Sequence, residues 1–237
     1  MLCCSYILPM KHIFQKTKIK QGQVKILKNM DQHFPNLPHL VPQRGTALSR
    51  ALFKKLFLAQ GWTIEGEIPN YPKAVAIISP HTSNIDGWYG FLAIFGLGIQ
   101  ITVLGKDALF KPPFKRALDW AGVIPVKRDT ANGLTEQVVT TIQKYDKIWI
   151  GMAPEGTRKK AKKMKSGFYH IAAKANIPIV MFSFDYDHKT IHCLGHLDPS
   201  GNYDEDLQKI FDRYEGKISP KNRNWLAEPL QNLVKKT

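Results

Sequence analysis

The chain has 237 residues, enough for one α/β domain with short appendages, and its 43% hydrophobic and 22% charged residues are those of an ordinary globular protein. Its net charge of +15 is not ordinary and favours anionic partners: nucleic acid, acidic lipid headgroups, phosphorylated cofactors or an acidic carrier protein. Three cysteines (Cys3, Cys4 and Cys193) exclude a disulfide framework and a paired C-x-x-C zinc site, and imply a reducing, cytoplasmic setting.

The charge is concentrated at the amino-terminal end. Residues 1–60 hold ten Lys and Arg against one acid, Asp31, whereas residues 61–237 hold 24 against 18. Met1–Leu8 is apolar, but its lysines follow it, the reverse of a secretory signal. Residues 1–45 are expected to form a basic, flexible arm and linker, with Pro, His and Asn crowded into Asp31–Gly45. Thr46–Gln60 then has helical periodicity, with Leu48, Leu52, Phe53 and Leu56 on a broad apolar arc and Arg50 and Lys54 on the other side. Such a helix packs on a domain surface, and its basic, amphipathic pattern also suits shallow docking on an anionic membrane.

From here strand and helix signals alternate. Trp62–Glu67 alternates apolar and polar residues, and Ala74–Ser79 is a buried-strand run. A helix is expected over 84–95, a strand over 99–104, a short helix near 113–120 and a strand over 123–126. Further along come a helix over 134–145, a strand over 147–152, a helix over 168–175, a strand over 177–184, an edge strand over Thr190–Leu194 and a last helix over 205–214. Trp88 to Gly105 is an eighteen-residue run without charge, but Gly90, Gly96 and Gly98 interrupt it, so a buried helix, a turn and a strand fit better than a membrane span. The rhythm predicts a single α/β domain over 46–215 with a mostly parallel central sheet flanked by helices, and a tail over 216–237. Ligands of such sheets collect at the carboxyl ends of the strands.

Two motifs fall there. Pro80-His81-Thr82-Ser83-Asn84-Ile85-Asp86 follows the strand ending at Ser79. Ser83 and Asp86 have the spacing of a capping box, a purely structural task. The same helix start can fold the Asp86 carboxylate back towards His81, fixing the tautomer and leaving the other ring nitrogen as a base, worth ~10²–10⁴ in rate. No G-x-S-x-G elbow supplies a protein nucleophile, so the base is expected to act on a substrate hydroxyl. Pro154-Glu155-Gly156-Thr157-Arg158 follows the strand ending at Met152. Gly156 lets the backbone approach a ligand, Thr157 adds a hydroxyl, and Arg158 adds a fork matched to phosphate oxygens. Glu155 could orient Arg158 or bond a substrate hydroxyl. Arg128, past the strand ending at Val126, is a second cation on the same rim, and Lys106 a weaker third.

In this order the residues resemble the glycerolipid acyltransferase family, which includes 1-acylglycerol-3-phosphate acyltransferases. The matching blocks are His81…Asp86, Gly122-Val123-Ile124-Pro125-Val126-Lys127-Arg128, Glu155-Gly156-Thr157-Arg158 and Ile177-Pro178-Ile179-Val180, with Lys165-Ser166-Gly167 between the last two. Pro80 stands where the family often has Asn, and Ala153 where Phe is common. The resemblance implies a glycerol-3-phosphate acyltransferase-like fold. It implies His81 as base with Asp86 orienting it, and a glycerol-phosphate site made by Arg128, Glu155, Gly156, Thr157 and Arg158. It implies an acyl thioester donor, on coenzyme A or acyl carrier protein, with no cofactor and no metal.

The expected reaction is acylation of 1-acylglycerol-3-phosphate to phosphatidic acid, with another lysophospholipid or an aminolipid as the alternative acceptor. The expected location is cytoplasmic, peripheral at the inner face of an anionic membrane. The six basic residues within Arg158–Lys165 suit a solvated loop or a landing strip for phosphates. Nucleic acid is not expected as a partner, because no recognition motif and no basic–aromatic interleaving accompany the charge. A basic lipid-binding module without catalysis is the remaining rival. His188, His192 and His196 would share one face of a continuous strand, but without a carboxylate or thiol in register except Cys193 they make a poor metal site.

Overall fold

The computed structural model describes residues 33–106, 110–126 and 133–234. Helix α1 (Ala47–Ala59) precedes strands β1 (Thr63–Glu65) and β2 (Lys73–Ser79). Helix α2 (Asn84–Leu97), β3 (Ile101–Lys106), α3 (Phe114–Ala121) and β4 (Val123–Val126) follow. The chain continues through α4 (Gly133–Gln143), β5 (Ile148–Met152), α5 (Gly167–Ala175), β6 (Ile179–Asp185), β7 (Thr190–Leu197) and α6 (Tyr203–Tyr214). The seven strands form one sheet in the order β1-β7-β6-β2-β5-β3-β4. Neighbours run parallel except β6 and β7, which are antiparallel. This is the α/β architecture expected, with helices on both faces.

Pleating divides β2 between two cores. Val75 and Ile77 face a layer built with α4, α5 and α6. Ala74 and Ala76 face the opposite layer, with Leu92, Ala93 and Leu97 of α2 and Phe57 of α1. The uncharged run through α2 ends as expected. Gly98 closes the helix at φ 78°, a left-handed cap that glycine adopts without steric cost, and β3 begins three residues later. Among the described residues no helix is long and apolar enough to cross a membrane.

Three differences from the sequence-based expectations stand out. The strand at Thr190 is longer and internal, because the three-residue β1 pairs with its far side and forms the edge. The stretches set apart at both ends also join the core: Phe34 and Val41 are buried before residue 46, and Ile218, Leu226 and Leu230 after residue 215. The apolar arc of α1 is split. Phe53 packs on Phe91 and Phe95, and Phe57 is fully buried, whereas Leu48, Leu52 and Leu56 point outward at 82%, 54% and 41% exposure. Gly96 of α2 allows this close packing, since a Cβ there would lie 3.0 Å from the Phe34 ring.

Candidate active site

β2 and β5 are direct neighbours, with Ile77 opposite Met152, so the loops that leave them meet at the carboxyl rim of the sheet. From β2 the chain passes Pro80 and His81 and enters α2 at Asn84. The expected capping box forms, with the Ser83 and Asp86 side chains each accepting from the helix start. Asp86 Oδ2 accepts the N–H of Thr82 and that of Ser83, each at 2.7 Å, and lies 3.2 Å from His81 Nδ1. Capping the helix and pairing with His81 are therefore not alternatives for Asp86, because one oxygen makes both contacts. Asp86 is buried, while the His81 side chain keeps 29% exposure. His81 Nε2 has no bonding partner among the described residues and is the nitrogen open to a substrate.

Glu155 occupies a different place from the one expected. It is 3% exposed. Its Oε1 accepts the Ser79 hydroxyl at 2.7 Å and the backbone N–H of His81 at 3.1 Å, and its Oε2 is buried without a partner among the described residues. Burial pushes the Glu155 carboxyl above the usual range, against the lowering effect of those hydrogen bonds. Glu155, expected among the phosphate-binding residues, is thus enclosed beneath the His81 loop and bonded to it.

Gly156, Thr157 and Arg158 are on the surface. Gly156 turns the chain at φ 65°, and a Cβ there would sit 3.0 Å from Lys165 Cγ, whose stem crosses the turn. The Lys165 N–H donates to the Pro154 carbonyl at 2.7 Å, which ties the Lys-Ser-Gly block to this turn. Thr157 is exposed and its hydroxyl accepts the Lys159 N–H at 3.2 Å. Arg158 is exposed and makes no ion pair among the described residues. Arg128 lies outside the described residues. The basic loop that follows is pinned rather than free: Ala161 and Met164 are buried, and the Ala161 carbonyl accepts the Glu228 N–H at 2.9 Å.

Between α2 and the sheet lies an apolar cavity of about 390 Å³. It exists because small residues face each other across it: Ala76, Gly151 and Ala153 from the sheet side, and Gly87, Gly90 and Ala93 from α2. Ala153 is one of the departures from the family pattern, and its small side chain leaves this space open. His81 and Asp86 line the cavity at the carboxyl rim. Arg44 lines it as well, and its backbone N–H and guanidinium bond the Gly98 and Trp120 carbonyls, which precede β3 and β4. The cavity therefore runs along the strands from the carboxyl rim towards the amino rim.

Sequence reasoning missed Tyr186, whose hydroxyl donates to Asp86 Oδ1 from 100 residues away. No local spacing signals a contact of that range. Two of the three histidines meet at Asp185, and the third lies apart. His188 pairs with Asp185, His192 lies between Asp185 and Glu65, and His196 bonds the Tyr71 hydroxyl. Among the described residues no group of His, Cys, Asp and Glu is placed to hold a metal ion.

Comparison with known proteins adds three findings. The family model described as Acyltransferase matches residues 63–184, just over half of the chain. A search among curated proteins gives no significant match. Among solved structures the chain is similar to the crystal structure of the 1-acyl-sn-glycerophosphate (LPA) acyltransferase PlsC from Thermotoga maritima. The two share 18% identity at a TM-score of 0.49, with 68% of this chain and 73% of that one covered.

Proposed function

Since the chain belongs to the acyltransferase family, we propose that it moves a fatty acyl chain from an acyl thioester to the free hydroxyl of 1-acylglycerol-3-phosphate, giving phosphatidic acid. One observation carries this reading. A histidine paired with a buried carboxylate lines an apolar cavity, and Ala153, which lines the same cavity, opens the turn that leads to the exposed Arg158. The cavity suits an alkyl chain and the turn suits a phosphate, and this reading assigns the imidazole to the hydroxyl between them.

In this reading His81 Nε2 takes the proton of the acceptor hydroxyl while its oxygen attacks the thioester carbonyl. Asp86 stabilises the resulting imidazolium through Nδ1. Collapse of the tetrahedral intermediate forms the ester and breaks the C–S bond, and the departing sulfur takes the proton back from His81. The thiol is coenzyme A or the prosthetic arm of acyl carrier protein. Arg158 holds the acceptor phosphate with Thr157 and Gly156 on the same turn, and Arg128 is assigned to the same anion from its place in the sequence. Glu155 supports His81 from beneath. The outward leucines of α1, with Trp88 at 45% exposure, are the proposed contact with an anionic membrane at its inner face.

The test is thiol release from acyl-CoA in the presence of 1-acylglycerol-3-phosphate, wild type against His81→Ala. Acceptor-dependent release that disappears in the variant is expected. Release that survives in His81→Ala overturns the mechanism, and release with a different lysophospholipid or an aminolipid alone overturns the acceptor.

A further inference from the structure

β6 ends at Asp185, and the next residue turns its side chain back over the start of α2. The hydroxyl of Tyr186 donates to Asp86 Oδ1, while Asp86 Oδ2 accepts from the Thr82 and Ser83 amides and faces His81 Nδ1. The two carboxylate oxygens are thus pinned from opposite sides. A carboxylate held at only one oxygen can rotate about its Cβ–Cγ bond, a broad and soft torsion. One held at both cannot, and its plane is set relative to the imidazole.

The phenol ring is itself held. It packs edge-on against Trp62 at 4.9 Å between ring centres and contacts Tyr89 and Phe184, each at 6.0 Å. Burial, with the Asp86 hydrogen bond and charge, pushes the Tyr186 hydroxyl far above its ordinary range, so it remains a donor. The titratable and charged groups around this unit are His81 and Asp86 themselves, Tyr89 of α2, Lys221 at 5.8 Å from the Tyr186 ring, and Glu155 beneath the His81 amide. The capping of α2 does not require Tyr186, because both helix-start amides end on Oδ2.

We propose that Tyr186 is a positioning residue for acyl transfer: it orients Asp86 so that His81 keeps its proton on Nδ1 and its lone pair on Nε2. The inference rests on His81 acting as the base, yet the bonding relation it asserts is observable without turnover. Tyr186→Phe removes the hydroxyl and retains the ring among Trp62, Tyr89 and Phe184, so the fold is kept.

The experiment is ¹⁵N NMR of the His81 ring in the full-length protein, at a pH where the ring is neutral, alongside steady-state kinetics. Wild type should show the Nδ1–H tautomer, and Tyr186→Phe a mixture of the two. The variant kcat should fall on the order of 10-fold, with acceptor KM changed by less than about 2-fold. An unchanged tautomer in Tyr186→Phe overturns the proposal, and so does a tautomer mixture that leaves kcat intact. His81→Ala keeps the two questions apart: transfer surviving in that variant rejects the base, while the Tyr186→Phe spectrum still decides whether the hydroxyl orients the ring.

Discussion

The Glu155 carboxylate accepts the backbone N–H of His81 at 3.1 Å, joining two motifs that lie 74 residues apart. The same oxygen accepts the Ser79 hydroxyl at the end of β2, so the loop leaving β2 rests on the first turn after β5. His81 is consequently held at its backbone by Glu155 and at its ring by Asp86. Both residues can be tested separately, because they act through different bonds.

Glu155 should make stability depend on pH. Its carboxyl is raised by burial, so it holds a proton in the folded chain more firmly than in the unfolded one. Its stabilising contribution is complete below the unfolded value of about 4.3, and is lost as pH rises through the raised folded value. Glu155→Gln is neutral throughout and escapes that loss. Melting curves from about pH 5 to about pH 8 should show the variant gaining on wild type as pH rises. A difference in Tm that does not move with pH would contradict a Glu155 carboxyl raised by burial.

Asp86 and His81 should separate stability from activity. Asp86→Ala leaves the Thr82 and Ser83 amides and the Tyr186 hydroxyl without their acceptor, a loss of about 1–3 kcal/mol. His81→Ala removes a partly exposed ring and should change the urea midpoint little. Both variants should lack transfer. Equal destabilisation by the two would mean that the carboxylate is not the helix's principal cap.

The cavity predicts a chain-length effect. A Cβ at Gly90 would meet nothing nearer than Phe184 Cζ at 3.7 Å, so Gly90→Ala should be tolerated. Gly90→Leu places a branched side chain in the cavity itself, as does Ala153→Phe from the sheet side. In a series of acyl thioesters, rates with long chains should fall on the order of 10-fold more than rates with short ones. A uniform loss across the series would remove the cavity from substrate binding.

Arg158 should report on the acceptor. Its side chain is exposed and makes no ion pair among the described residues, so Arg158→Ala should leave the melting point intact. Loss of a charge-assisted bond to phosphate raises acceptor KM by roughly 10- to 100-fold. Arg158→Lys should recover only part, since an ammonium lacks the planar fork. An unchanged KM in both variants would move the phosphate elsewhere.

The outward face of α1 can be tested on vesicles. Replacing Leu48, Leu52 and Leu56 with serine should weaken binding to anionic vesicles while the fold, which uses Phe53 and Phe57, is retained. Binding that persists in the triple variant at low salt would show that charge alone holds the protein there.

Much of this molecule was legible before any coordinates. The run Ala74–Ser79 announced a strand because a strand covered on both faces must be apolar at consecutive positions. Ser83 and Asp86 announced the start of α2 because a capping box needs only neighbours three residues apart. The order of the four blocks announced the family, and the match over 63–184 bears that out. The burial of Phe34 and Ile218 was not legible, since segments rich in Pro and polar residues look like linkers until a core forms beneath them.

By itself, then, the sequence determined the order of the strands and helices, their bounds to within a few residues, and that the loops carrying His81 and Glu155 leave the same rim, because all three follow from local periodicity and strand direction. Tertiary structure alone decided that Glu155 faces inward under His81, that Tyr186 reaches Asp86, and that small residues on β2, β5 and α2 leave a cavity between them. The physical reason is range. Backbone preference and capping act over a few residues, whereas hydrogen bonds and voids between elements depend on which strands become neighbours, and that is settled only when the whole sheet assembles.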